Sequence, residues 1–177
     1  MLNKKLYNKI MEEYIVNNKK YQIIKLLGHG KGGYSYLAKY EDTFVVLKKI
    51  HHEPCDYYQF GNKIDAEYHD YQTLLEVGIN IPKMIDIDKE QEIIIKEYIE
   101  GKTIDNLIKS GVPIDEYIPQ VIEMSERAKK HNINIDYYPT NFVVNKGRLY
   151  YIDYECNQYD PKWDYINWGQ QYWVKSK

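Results

Sequence analysis

Five apolar runs of strand length occur before Gly101: YQIIKLL, YSYLAKY, TFVVLKKI, MIDID and EIIIKEYI. A single helix-like stretch, residues 62–77, interrupts them. Beyond Gly101 the periodicity turns helical, first over residues 103–110, with Thr103 as cap and Gly111 as stop, then over residues 115–130. NFVVNKGRLYYID follows, two short strands around Asn-Lys-Gly, a hairpin signal. The tail DPKWDYINWGQQYW opens on Asp160 and Pro161, a cap and first-turn pair for a last helix. Strands and helices segregated in this way predict an α+β fold, with an antiparallel sheet in one half and helices in the other. The seam is expected within residues 98–102.

The 177 residues suit one domain, 1–177, in two small lobes, and 44% hydrophobic content is enough for a core. A net charge of −2 gives no global positive field, and only Arg127 and Arg148 among the 24 basic residues are arginine. Nucleic acid and membrane are therefore not expected as partners. The start carries Leu2, Leu6, Ile10 and Tyr14 at helical spacing among charges and lacks the unbroken apolar core of a signal peptide. Cys55 and Cys156 make neither a metal-ligand spacing nor a disulfide framework, so a reducing cytoplasm is the expected setting. The 20 tyrosines read as amphipathic packing residues.

The stretch GHGKGG places Gly28, Gly30, Gly32 and Gly33 between two strands. Such a turn lets backbone N–H groups approach a phosphate, and it is equally compatible with a loose hairpin. In VVLKKI, alternation sends Lys48 to the face shared with Val46 and Ile50 and sends Lys49 to the other. Helix spacing puts Ile64, Glu67, Tyr68, Tyr71, Leu74 and Leu75 on one face, so Glu67 sits in an apolar stripe and needs a compensating cation. Lys48 is a candidate partner. The alternative leaves Glu67 at the stripe's edge and both lysines solvated by snorkelling.

Asn141 and Asp153 are equidistant from Gly147, which predicts that they lie opposite each other at the open end of the hairpin. A carboxylate beside an amide oxygen suits Mg²⁺, and Asp136 in DYYPTN adds a second carboxylate at the same mouth. The alternative is that these residues merely start and stop strands.

Taken in order, these segments resemble the protein-kinase-like phosphotransferase superfamily, in a minimal bacterial-type, RIO-like serine/threonine kinase form. LGHGKGGYSYLA resembles the glycine-rich loop, VVLKKI the lysine strand, Glu67 its helix partner, KEYIEGKTIDNLI the hinge and following helix, DYYPTN the catalytic loop, and IDYE the metal-binding segment. The resemblance implies an N-lobe of about residues 1–97, a hinge of about 97–101 and a truncated, mainly helical C-lobe of about 102–177. It implies ATP and Mg²⁺ as cofactors, with Gly28, Gly30, Gly33 and Lys48 on the phosphates and the backbone of Glu97 and Ile99 facing adenine. Asp136 would orient the hydroxyl nucleophile, Lys48 and Glu67 would act as a pair, and Asn141 and Asp153 would hold the metal.

The chain also departs from the pattern. Asn134, Ile135 and Asp136 stand where typical protein kinases have His-Arg-Asp, Tyr138 replaces a lysine, and Tyr154 and Glu155 follow Asp153 where Phe-Gly is usual. Little sequence follows Asp153, so a long activation segment and the usual peptide-docking platform are not expected. Trp163, Trp168 and Trp173 are all in the tail, where they either close a small C-lobe core or form an aromatic patch for a protein partner or self-association. The expected activity is transfer of the ATP γ-phosphate to an unknown hydroxyl acceptor, on a protein or a small molecule. The rival classes are a nucleotide-binding pseudokinase or weak ATPase regulating a partner, and an ATP-independent binding module.

Overall fold

The computed structural model describes residues 12–54 and 62–174, which form two compact units. The first takes residues 12–54 and Ile85–Glu97. Its strands are β1 (Glu13–Val16), β2 (Lys19–His29), β3 (Gly33–Tyr40), β4 (Thr43–Ile50), β5 (Met84–Asp88, whose first residue lies in the second unit) and β6 (Ile93–Glu97). They make one sheet in the order β1-β2-β3-β4-β6-β5. Alternation explains the packing. Val45 and Leu47 of β4 join Val16, Tyr21, Ala38, Ile93 and Ile95 in a buried cluster, with Tyr14, Ile23, Tyr36 and Tyr40 packed at its margin.

The helical spacing at the start does not hold where it can be followed. Tyr14 lies on β1, because Asn17 and Asn18 both take positive φ, +46° and +64°, and fold β1 back on β2 with Val16 opposite Lys19. This two-residue turn matches the right-handed twist of its strands, and asparagine tolerates it better than most residues. Leu2, Leu6, Ile10 and Cys55 lie outside the described residues.

The second unit takes residues 62–84 and 98–174. It opens on α1 (Lys63–Val77), capped by the Asn62 side chain and stopped by Gly78 at φ +78°. Ile64, Glu67, Leu74 and Val77 are buried, but Leu75 is 50% exposed and Tyr68 only half-buried, so the apolar stripe is narrower than spacing alone predicts. After α1 come β7 (Lys102–Thr103), α2 (Ile104–Lys109), α3 (Ile118–Lys130), β8 (Ile133–Ile135), β9 (Phe142–Asn145), β10 (Arg148–Tyr151), β11 (Cys156–Gln158) and α4 (Gln170–Trp173). The strands make two small sheets, β10-β9-β7 and β11-β8. Thr103 caps α2 as expected, its Oγ1 accepting from the Asn106 N–H at 3.0 Å.

The tail is not one helix. Asp160 caps only a 3₁₀ turn, Pro161–Trp163, and Asp164 then takes extended backbone, ψ 171°, to cap a second turn before α4. Two successive Asx caps break the run, each side chain satisfying N–H groups that a continuous helix would have bonded itself. The tail divides its aromatics. Tyr165 and Trp173 are fully buried, with the Trp173 indole donating to the Tyr137 carbonyl at 2.7 Å, while Trp163 and Tyr172 remain 45% and 39% exposed.

Among the described residues no helix is long and apolar enough to cross a membrane.

Candidate active site

In the first unit, β2 runs on through Gly28 and His29, further than its apolar residues suggest, and pairs them with Ser35 and Tyr34 of β3. The turn itself is Gly30–Lys31–Gly32, closed by the Gly30 N–H donating to the Gly33 carbonyl at 3.0 Å. The glycines differ in how much room they leave. A Cβ on Gly33 would sit 2.3 Å from the Lys49 carbonyl oxygen of β4, whereas one on Gly28 or Gly30 would meet nothing within 4 Å. Gly33→Ala is therefore expected to destabilise the fold by about 1–3 kcal/mol through overpacking. Gly28→Ala and Gly30→Ala should melt like wild type, and thermal unfolding of the three variants checks the contrast.

Lys48 points to the turn. It lies opposite Ser35 on β3 and Ile94 on β6, and its Nζ is 3.5 Å from where a Cβ on Gly32 would stand. Lys49 goes to the other face, as alternation requires, where it donates to the Gln91 carbonyl at 3.0 Å and lies over the Tyr14 ring. Lys48 is 9% exposed, so its charge is largely removed from water beside a turn of small residues.

In the second unit two strand pairs converge. β8 and β11 pair antiparallel with Ile135 opposite Cys156, and β9 and β10 pair with Phe142 opposite Tyr151. Asp136 leaves the first pair and Asn141 enters the second. The hairpin register differs by one from the symmetric expectation. Its turn is Lys146-Gly147, with both φ positive at +49° and +76°, so the centre falls before Gly147 rather than on it. Asn141 therefore faces Ile152, whose N–H donates to the Asn141 carbonyl at 2.9 Å, and Asp153 is the next residue along.

Tyr151 ties these residues together and was not singled out by its sequence. Its hydroxyl accepts from the Asp136 N–H at 3.3 Å and donates to the Glu155 carbonyl at 2.8 Å. Burial pushes this hydroxyl well above the usual tyrosine range, and the neighbouring charges of Asp153, Glu155 and Asp136 add to the shift. The loop is further fixed by the Tyr138 N–H donating to Asp136 Oδ1 at 3.0 Å and the Tyr154 N–H donating to Asp153 Oδ1 at 2.9 Å. The Asn141 amide NH₂ donates to the Asp136 carbonyl at 3.4 Å. The only advance signal for Tyr151 was its alternation with Leu149 on the buried side of β10.

Glu67 is 9% exposed on α1 of the second unit, so it occupies an apolar stripe as expected. Asp70, on the same helix, accepts from the Cys156 N–H at 3.3 Å, and burial raises its carboxyl above the usual range. Cys156 is itself pushed up to about 12, by burial first and then by Asp70, which makes it an unreactive thiol. Glu97 closes β6 opposite Val45 and is exposed, and Ile99, just inside the second unit, is buried. Gly101 is held against β9, where a Cβ would lie 1.9 Å from the Val144 carbonyl oxygen.

No protein-family model matches the chain. It is similar to KEOPS complex subunit Bud32 of Pyrococcus abyssi (strain GE5 / Orsay), with 25% identity over 152 residues that cover 77% of this chain and 69% of that protein. The similarity agrees with the architecture: an antiparallel sheet carrying a glycine turn and a buried lysine, then a short, mainly helical unit in which an Asp loop, an Asn and an Asp follow in kinase order. The similarity and the architecture support the protein-kinase-like superfamily, and the chain has a truncated, two-lobed α+β form of that fold.

Proposed function

We propose that the chain is an ATP- and Mg²⁺-dependent phosphotransferase that moves the γ-phosphoryl group of ATP to a hydroxyl acceptor, of the serine/threonine protein kinase type. The observation that carries this reading is that the charges of Asp136 and Asp153 both act on the buried Tyr151 hydroxyl, which takes the Asp136 N–H, while Asn141 bonds the Asp136 carbonyl. A scaffold gains nothing from two carboxylate charges acting on one buried hydroxyl, because each adds desolvation and repulsion.

The donor set fits magnesium. Asp153 offers a carboxylate and Asn141 an amide oxygen, both hard oxygen ligands. When bound, the ion neutralises charge on the phosphates. The remaining work falls to side chains. Lys48 neutralises phosphate charge beneath the glycine turn, and Glu67 holds Lys48 in place. Asp136 accepts the proton of the acceptor hydroxyl as its oxygen bonds to the γ-phosphorus and the bond from that phosphorus to ADP breaks. Its carboxylate is held by the Tyr138 N–H, so the base is oriented before the acceptor arrives. The backbone of Glu97 and Ile99 receives the adenine.

A second reading is favoured by the tail. Ile166, Trp163 and Tyr172 are 58%, 45% and 39% exposed, and the similar archaeal protein is a complex subunit by name. Apolar side chains of this size on the surface suit a protein partner, and the chain would then regulate that partner as a pseudokinase or weak ATPase.

Two measurements test the function. ATP with Mg²⁺ should raise the melting temperature by mass action, and GTP should do so less. γ-Labelled ATP incubated with the chain and a cell lysate should deliver label to a protein band. Label on a small molecule would make the chain a small-molecule kinase, label only as free phosphate would favour the ATPase reading, and an unmoved melting curve would remove nucleotide binding altogether.

A further inference from the structure

Of the five histidines, His29 at the end of β2 and His51 just after β4 come together with Glu53 beside the glycine turn. The ligand atoms of the three side chains all lie within 4.8 Å of one another. His29 Nε2 is 3.2 Å and His51 Nε2 3.9 Å from the same Glu53 oxygen, Oε2. A tetrahedral metal with bonds of about 2.0–2.1 Å holds its ligand atoms roughly 3.3 Å apart, so small side-chain rotations would bring all three onto one ion.

We propose that His29, His51 and Glu53 form a binding site for a borderline divalent transition metal of the Zn²⁺ type at the base of the glycine turn. The ligand chemistry selects the class. Two imidazoles and one carboxylate suit Zn²⁺ or Co²⁺, whereas Mg²⁺ prefers an all-oxygen shell. A supporting shell is already present. The Tyr34 hydroxyl donates to Glu53 Oε1, leaving Oε2 toward the histidines, and the Tyr34 ring stacks on His29 with centroids 4.2 Å apart and planes 3° from parallel. The Glu53 carboxyl is held below its usual range, first by that hydrogen bond and then by the two histidines, so it meets a cation as the anion.

Without metal, His51 has another partner. The Glu53 N–H donates to its Nδ1 at 3.3 Å, so Nε2 carries the proton and donates to the Gly30 carbonyl at 2.8 Å. Metal binding replaces that hydrogen bond, reorients the His51 ring and releases the Gly30 carbonyl. The site is thereby linked to the turn it sits under. The proposal requires no part of the phosphotransferase reading.

Equilibrium dialysis of the full chain against Zn²⁺, and visible spectra with Co²⁺, test the site directly. The expected result is one saturable equivalent at micromolar Zn²⁺, the intense d–d bands of four-coordinate Co²⁺, and no displacement by Mg²⁺. His29→Ala and Glu53→Gln, both at exposed positions, should abolish binding. Tyr34→Phe should weaken it on the order of tenfold, and His52→Ala and His131→Ala should leave it unchanged. The Gly30 and Gly33 amide resonances should move on adding Zn²⁺. Binding of Zn²⁺ by wild type no tighter than by the His29→Ala/Glu53→Gln double variant would overturn the proposal.

Discussion

Asp136→Asn is expected to cut phosphoryl transfer on the order of 10²–10⁴-fold while leaving ATP affinity near wild type, because a general base acts mainly in the transition state. The substitution is nearly isosteric. The amide oxygen can still accept the Tyr138 N–H, and the Asp136 N–H that meets the Tyr151 hydroxyl is backbone, so the loop should keep its shape. Asp153→Asn should match it in turnover and differ in binding, since a lost metal ligand weakens Mg²⁺-dependent nucleotide binding as well. Nucleotide titration and labelled-phosphate transfer, run on both variants, separate the two jobs. A wild-type rate in Asp136→Asn would hand the chain to the regulatory reading.

Lys48→Met and Glu67→Gln should each impair transfer strongly, and the double variant should be little worse than the poorer single one. In a double-mutant cycle this appears as a coupling energy of about 0.5–3 kcal/mol, the range for groups in direct contact. Both side chains are 9% exposed, so each carries a desolvation penalty that a partner must offset in the folded state. Losses that simply add would mean that Lys48 and Glu67 serve separate ends.

The strands were legible where the chain carries an alternating or continuous apolar run of strand length. β4 and β5 have the expected ends, residue for residue, and the placement of Lys48 and Lys49 on opposite faces followed from period two alone. Shorter strands were not legible. β7, β8 and β11 have two or three residues each and owe their conformation to the strands beside them, which no local pattern encodes. β1 was concealed by Tyr14 falling at helix spacing, although the Asn17-Asn18 pair behind it was the stronger signal. Asp136, Asn141 and Asp153 could be named from their order. The off-by-one register and the Tyr151 hydroxyl between them could not, because both depend on which turn residue takes the centre and on how two separate strand pairs meet.

The second unit is assembled from two stretches of chain with the β5–β6 hairpin between them, and this dictates an order of events during synthesis. Every strand of the first sheet has been made once Glu97 has been added, so that sheet can pair early. Residues just beyond α1 must wait for partners far downstream: the Asn80 side chain bonds the Leu149 carbonyl across 69 positions, and the Pro82 carbonyl takes the Tyr154 hydroxyl across 72. At about 5–20 residues per second, translation leaves that gap open for several seconds. Through that interval the stretch after α1 stands on the nascent chain without those two hydrogen bonds, a window in which a chaperone can act.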